Sequence, residues 1–335
     1  MTYSKRIDEI WRCPGPDDSA DNYRALAHCA TLAASSHNTQ PWRFKLDQDR
    51  ITILPDLSRR CPAVDPDDHH LYASLGCAAE NIIVAAPAFG LTGHYCYNAS
   101  VPAVQIDFEP TPVVRSSLFD AIADRRCSRV EFDGSSLDTD QLSLLKDAAR
   151  GQGVSTMFIT DKHQKERISD YVAQGNSAQF ADKAWRAELR SWIRFSAREA
   201  VHSNDGLYGP VMGNPSVPRW LGLLFMRFTF SAERQNQKDI CHIQSSAAVA
   251  IISSEVDDKQ HWIEAGRCYQ RLALQATALG LRTAFINQPV EVAALRADFA
   301  RELGLGDRRP DLIVRIGRGP ETLHSLRRPV AEVLV

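Results

Sequence analysis

The chain has no excess of either charge: 39 Lys and Arg stand against 41 Asp and Glu, a formal net charge of −2 over 335 residues. No net field is therefore available to recruit nucleic acid or an acidic membrane. It also lacks an uncharged apolar run long enough to span a bilayer, and its opening residues, Met-Thr-Tyr-Ser-Lys-Arg-Ile-Asp-Glu, have no apolar core of a signal peptide. A soluble, cytoplasmic protein is the expectation. The eight cysteines (13, 29, 61, 77, 96, 127, 241 and 268) include no Cys-x-x-Cys pair, so reduced thiols are expected, with neither a zinc site nor a disulfide framework.

Three further absences narrow the chemistry. There is no Walker A sequence, and Gly304-Leu305-Gly306 lacks the third glycine and the preceding strand of a dinucleotide fingerprint. No Gly-x-Ser-x-Gly elbow anchors a hydrolase reading. Asp65-Pro66-Asp67-Asp68-His69-His70 contains possible metal ligands, but it sits where a helix cap is expected, and no metal is assigned.

What is present is organised around Ala34 to Trp42. A helix capped by Asp17-Asp18-Ser19, with Tyr23, Leu26, Ala27, Ala30 and Ala34 on one face, ends here. Pro41 forces Gln40 out of the helical region, and Trp42, Phe44 and Leu46 then alternate into a hairpin closed by Asp47-Gln-Asp-Arg50. Ser35, Ser36, Asn38 and Gln40 offer two hydroxyls and two carboxamides within six residues. That set suits a flat heteroaromatic ligand with donors and acceptors, although Ser, Asn and Pro also end ordinary helices.

Later in the chain Arg125-Arg126-Cys127-Ser128-Arg129 gathers three guanidiniums and a hydroxyl just past a helix. Guanidinium forks match phosphate oxygens; the same residues would also suit a solvated helix C-terminus. Arg327-Arg328-Pro329 could complete the anion site. Between Gly206 and Gly222, seven Gly or Pro residues alternate with Leu207, Tyr208, Val211, Met212 and Trp220, a loop too apolar for simple disorder and best read as a cover.

The chain also repeats itself. Gly76 and Gly90 bracket one small-residue helix, Gly266 and Gly280 another, each pair 190 residues from its counterpart. Two copies at so long a period read as a duplicated domain, whose halves would pack as a fused pseudo-dimer with a ligand at their interface. Pro110-Thr-Pro112 is the expected boundary.

These residues resemble a known family. Ser35-Ser36-His37-Asn38-Thr39-Gln40-Pro41-Trp42 is similar to the Ser-Ser-x-Asn-x-Gln-Pro-Trp signature of the nitroreductase superfamily, and Arg125-x-Cys127-x-Arg129 resembles its Arg-x-Ser-x-Arg/Lys motif for FMN phosphate. The order of the two motifs is reversed relative to ordinary members, as in the Acg-type twin nitroreductases. Asn287-Gln288-Pro289-Val290-Glu291, Leu312 to Gly317 and Arg327-Arg328-Pro329 match as well. The resemblance implies an α+β, nitroreductase-like fold of two tandem halves, 1–110 and 111–335, packed as an intramolecular pseudo-dimer with central helices and antiparallel or mixed sheets, with a lid insertion at about 202–230.

It further implies one FMN per chain. Arg125, Arg129 and one of Arg327 or Arg328 would hold its phosphate, with Arg126 and Cys127 alongside. Cys127 replaces the usual Ser or Thr, which weakens one phosphate contact. Ser35, Ser36, Asn38 and Gln40 would face the ribityl chain and pyrimidine edge, and backbone amides around Pro289, Val290 and Glu291, next to Gln288, would approach N5 and O4. His37, Tyr208, Met212 and Trp220 are candidate lid or substrate contacts. The implied activity is hydride transfer from NAD(P)H through FMN to a small electron-poor acceptor of nitro or quinone type, with the flavin carrying the chemistry and no side-chain nucleophile. The competing reading is a flavin-sequestering protein whose lid prevents turnover. Neither nucleic acid nor membrane is an implied partner, and the chain would act as a monomeric pseudo-dimer or a higher homo-oligomer.

Overall fold

The computed structural model describes residues 2–15 and 21–335. The cap expected at Asp17-Asp18-Ser19 lies outside the described residues. Asp21 caps the helix Asn22–Thr31, accepting the Arg24 N–H at 3.0 Å, and the helix stops three residues short of Ala34.

The described residues form ten strands: β1 (Trp42–Asp47), β2 (Arg50–Pro55), β3 (Leu91–Asn98), β4 (Ala103–Pro110), β5 (Val154–Ile159), β6 (Ile193–Arg194), β7 (Leu207–Tyr208), β8 (Ala248–Ser254), β9 (Arg282–Phe285) and β10 (Arg309–Gly317). The expected hairpin is β1 and β2, with Trp42 opposite Pro55 and Phe44 opposite Ile53, so that both aromatic side chains enter the core. The fold is α+β with two four-stranded antiparallel sheets, ordered β1-β2-β4-β3 and β5-β8-β10-β9. Replacing β1, β2, β3 and β4 by β5, β8, β9 and β10 turns one order into the other. In each sheet a long helix joins the second of these strands to the third: His69–Ala85 and Lys259–Ala278.

These two helices cross at their glycines, and the crossing is reciprocal. A Cβ on Gly76 would overlap the Ile263 carbonyl, and a Cβ on Gly266 would overlap that of Ala73. Backbones approach this closely only where no side chain intervenes. The seam also carries polar fastenings: Gln270 Nε2 donates to Asn81 Oδ1 at 2.7 Å, and Arg267 pairs with buried Glu80 at 2.9 Å. The first helix, followed through Phe89, is long and apolar enough to cross a membrane, yet 83% of that window is buried inside the protein. It is a core helix, and the main core packs around it and its partner.

Three helices follow β5 in turn, Lys162–Ala181, Lys183–Trp192 and Ala197–Ser203. Asp182 and Ser196 cap the second and third of these helices and so punctuate the run. Asp138 caps Thr139–Ala148 in a reciprocal box with Gln141. The Gly- and Pro-rich segment is more regular than its composition suggests, since β7 pairs in parallel with β6 and a helix spans Arg219–Thr229. Spacing gave no sign that Cys13 and Cys29 meet, but their sulfurs lie 2.7 Å apart, both as free thiols.

Gly266→Ala should destabilise the protein by about 2 kcal/mol or more, because the added methyl meets backbone and not a side chain that can rotate away. The check is the thermal or denaturant midpoint; an unchanged midpoint would contradict the close crossing.

Candidate functional site

Two adjoining cavities lie where the first central helix, the 34–40 segment and the second sheet meet. The larger encloses about 740 Å³ and the smaller about 50 Å³. Ala34, Ser35, Arg129, Leu207 and Phe285 line both.

The smaller cavity is a cationic pocket. Arg125, Arg126, Arg129 and Arg327 line it, and no Asp or Glu does. Arg125 caps the helix Ser117–Asp124, is almost fully buried, and spends one nitrogen on the Leu32 carbonyl at 3.1 Å while its Nε has no partner. Arg327 is likewise buried; its Nη groups donate to Asn38 Oδ1 at 2.8 Å and to the Ala33 carbonyl at 3.1 Å, and its Nε is unpartnered. Burial, reinforced by neighbouring Arg125, lowers the Arg327 pKa to about 9. The same burial and the surrounding arginines drive His324 down to about 2, so it stays neutral. Arg126 is partly satisfied, donating to the Thr322 carbonyl at 2.6 Å with Glu321 at 3.6 Å. Arg129 has no ion pair among the described residues and faces both cavities. Buried, uncompensated guanidiniums are costly, and an anion here relieves the cost.

The loop carrying Arg129 is held from behind. Arg315, on β10, donates to the carbonyls of Ser128 and Val130, both at 2.7 Å, and stacks on Phe132. Sequence reasoning saw Arg315 only inside a motif and gave it no role. A buried arginine in an otherwise apolar strand, Leu312 to Ile316, was the available signal.

The Asn-x-Gln segment does something other than expected. Asn38 borders the smaller cavity, but its Nδ2 donates to the carbonyls of Gly206 and Leu326, both at 3.0 Å, while Oδ1 accepts from Arg327. Gln40 lines neither cavity: Nε2 donates to the Asn204 carbonyl at 2.9 Å and Oε1 accepts the Arg328 N–H at 2.7 Å. Its expected place against a ring edge is corrected to that of a buried clasp, because a carboxamide with both ends bonded to the protein has little left for a ligand. His37, Asn38 and Gln40 all take positive φ (47°, 54° and 53°), a strained backbone that these bonds hold in place. Ser35 and Ser36 line the larger cavity, with Ser35 Oγ accepting the Gln40 N–H at 3.0 Å. Arg328 lines neither cavity and pairs with Asp56 at 3.7 Å, which leaves Arg327 as the pocket residue of the two.

The turn Gln288–Glu291 presents side chains to the cavity. The N–H groups of Val290 and Glu291 both donate to the Asn287 carbonyl at 2.9 Å, and Pro289 has none, so the expected amide contacts are corrected. Asn287, Gln288 and Glu291 line the larger cavity instead; Gln288 Oε1 is unpartnered, and Gln179 donates to Glu291 at 2.6 Å. Burial raises the Glu291 pKa. His37 also lines the cavity, held at about 4 by burial and then by Arg129, so a neutral imidazole faces the space.

Of the apolar candidates, Met212 lines the larger cavity. Tyr208 does not: it is buried against Tyr3 with ring centroids 4.4 Å apart. Trp220 faces solvent. Sequence reasoning missed His70, Ala73, Ser74 and Cys77, which line the cavity from one face of the first central helix; their i, i+3, i+4, i+7 spacing was the signal. At the start of that helix Asp65, His69 and His70 bring possible ligand atoms within 4.8 Å of one another. The Asp65 carboxylate accepts the N–H groups of His70 and Leu71 at 3.0 and 2.9 Å, as a helix cap does.

Residues 122–318, more than half of the chain, match the model of the nitroreductase family, and the protein belongs to that family. Along almost its whole length it is similar to a Mycobacterium tuberculosis protein named "Putative NAD(P)H nitroreductase Rv3131", at 25% identity over 94% of this chain and 91% of the other. The acg protein of the same organism, similarly designated, is 25% identical over 94% of this chain and 96% of its own. Among solved structures, the FMN-dependent nitroreductase NfnB of Mycobacterium smegmatis in complex with NADPH aligns over 64% of this chain and 96% of its own, with a TM-score of 0.44 and 13% identity.

Inorganic phosphate should raise the melting temperature of ligand-free protein, since it binds the folded state alone. Arg129→Ala removes a guanidinium with no ion pair, so it should fold normally and lose most of that increment. An equal increment in the variant would place the anion elsewhere.

Proposed function

We propose that this protein is an FMN-dependent oxidoreductase that passes hydride equivalents from NAD(P)H to a small electron-poor organic molecule of nitro or quinone type. The observation that carries the reading is the pairing of a carboxylate-free arginine pocket with a 740 Å³ cavity. A phosphate monoester on a large planar ring fits that pairing, and the volume lies in the range of small-molecule sites. Family membership supports it, as do the names of the relatives.

Arg125, Arg129 and Arg327 would hold the phosphate, with unpartnered Nε groups on Arg125 and Arg327 as available donors. Ser35 lines both cavities and Ser36 the larger one, a placement suited to the sugar chain. Gln288, whose Oε1 has no partner, and Glu291, favoured in its neutral form by burial, offer polar contacts to the ring edge. FMN, when bound, supplies the centre that accepts hydride and returns it. The chain's own contribution is orientation, exclusion of water and a fixed cationic anchor.

The matching sheet orders and the reciprocal glycine crossing support a fused pseudo-dimer in which residues before about 110 furnish the 35–40 segment and the remainder furnishes the arginine pocket. A specific observation favours a second reading, slow or blocked turnover. Met212, Phe225, Met226 and Phe230 wall the larger cavity from the 207–230 segment, as a lid would.

The purified protein should be yellow, with one FMN per chain, and anaerobic NADPH should bleach it at a rate compatible with turnover. Bound flavin that NADPH leaves unchanged would select the sequestering reading, and colourless protein that gains no stability from FMN would reject both. Arg125→Ala with Arg129→Ala should weaken FMN affinity by about 100-fold or more, as loss of two charge-assisted contacts implies; unchanged affinity by titration would refute the pocket assignment.

A further inference from the structure

The amino-terminal segment lies along one side of the cationic pocket. Tyr3 donates to the His324 carbonyl at 2.6 Å and Trp11 Nε1 to the Ser325 carbonyl at 2.9 Å, so the helix Tyr3–Ile10 and its capping Trp11 are held against the stretch that carries Arg327. Trp11 lines the smaller cavity, with the Arg327 guanidinium 4.9 Å from its ring centroid and the His324 ring at 4.0 Å. The helix Asn22–Thr31 supplies the opposite flank. Just past its end the carbonyls of Leu32 and Ala33 hold Arg125 and Arg327.

Cys13, on the segment that presents Trp11, meets Cys29, on the helix that presents those carbonyls, and their sulfurs lie 2.7 Å apart. That separation is well inside ordinary van der Waals contact, and a small displacement brings it to the S–S bond length of about 2.05 Å. The two sulfurs differ in access. Cys29 is buried and its carbonyl accepts from Asn81 Nδ2 at 2.8 Å, whereas Cys13 is partly exposed. The Cys13 sulfur beside it, and then burial, hold the Cys29 thiol well above its usual range. Cys29 therefore keeps its proton, and Cys13 is the sulfur that a dissolved oxidant reaches first.

We propose that Cys13 and Cys29 form a redox-active pair, oxidised to a disulfide by a hydroperoxide and restored by a dithiol, and that the bond clamps the two flanks of the cationic pocket. The effect on the cofactor, slower exchange of FMN, rests on the FMN-dependent reading above; the chemistry of the pair does not. In its thiolate form Cys13 attacks one oxygen of the hydroperoxide, the O–O bond breaks, and an alcohol (water, from hydrogen peroxide) leaves behind a sulfenic acid. The Cys29 sulfur then attacks that sulfur, the S–O bond breaks, and the hydroxyl departs as water with the Cys29 proton. Two electrons pass from the sulfurs to the peroxide. A dithiol reverses the change by exchange, becoming a disulfide itself. Disulfides of this reversible kind occur even where thiols are otherwise kept reduced.

The test treats the full-length, FMN-loaded protein, reduced and then freed of reductant, with a small excess of hydrogen peroxide. Its intact mass should fall by two hydrogens. Trypsin, cutting after Arg12, Arg24 and Arg43, puts the two cysteines on separate peptides, which should appear cross-linked until dithiothreitol parts them. Oxidised protein should melt a few degrees higher, as closure of a loop in the unfolded chain implies. It should also release FMN about threefold or more slowly, because release needs the flanks to part and the bond lowers the population of that state. Cys13→Ser, at a partly exposed position, should keep the flavin spectrum and lose both effects of peroxide; Cys96→Ser, exposed and remote in sequence, should keep both. Peroxide that leaves Cys13 and Cys29 unlinked, or that marks Cys96, Cys127 or Cys241 in their place, would overturn the pair. A cross-link with unchanged melting and unchanged FMN release would overturn the clamp. Protein that forms the cross-link but takes up no FMN would support the pair while removing the FMN reading and the effect on exchange with it.

Discussion

Positive charge buried without negative charge is the constraint to which the site answers. Arg125, Arg129 and Arg327 converge where no carboxylate lines the pocket, and the protein steadies the two buried ones with carbonyl oxygens and the Asn38 carboxamide. Backbone carbonyls hold a guanidinium in place without cancelling its charge. A carboxylate would have satisfied the arginines and closed the pocket to any anion; dipoles satisfy part of each fork and leave the field intact. Arg315 applies the same device one layer deeper, using the Ser128 and Val130 carbonyls to set the loop that carries Arg129. Burial lowers its own pKa to about 10.

The second organising element is the glycine crossing. Two helices that touch at Gly76 and Gly266 bring their small-residue faces together, and the remaining faces must then find partners elsewhere. On the first helix His70, Ala73, Ser74 and Cys77 line the larger cavity, and Ala73 and Cys77 also meet Gly266 at the crossing. Thus the feature that makes the two sheets pack as counterparts also places a helix beneath the ligand space.

Much of this was legible in the residue order, and the failures share a cause. Alternation at Trp42, Phe44 and Leu46 revealed the hairpin because strand period and burial agree there. The arginine cluster at 125–129 was visible because unpaired like charges in five residues require an explanation. Gln40 was identified as important but given the wrong task, while Asn38 borders the smaller cavity and bonds to the protein as well. A motif records that a polar group is needed, not whether its partner is ligand or protein, and their partners here are Asn204, Gly206, Leu326, Arg327 and Arg328. Val290 and Glu291 failed similarly, since nothing in the order Asn-Gln-Pro-Val-Glu tells that the Asn287 carbonyl takes both amides. Tyr208 and Trp220 came from composition alone, and composition does not tell a side chain packed inward from one turned outward.

Asn38 and Arg327 are 289 positions apart, and Asn38 and Gly206 are 168 apart. Loop closure over such spans adds little entropic penalty beyond that of shorter ones, because the cost grows only logarithmically. It does impose an order in time, since contacts of large sequence separation form after local ones. Residues 125–129 carry three of the pocket's four arginines in one local stretch, but the pocket is complete only with Arg327, near the other end of the chain. Its wall is closed only when two remote stretches, one at Gly206 and one at Leu326 and Arg327, meet on one asparagine, so a ligand that needs the whole pocket finds it only in chains whose distant parts have come together.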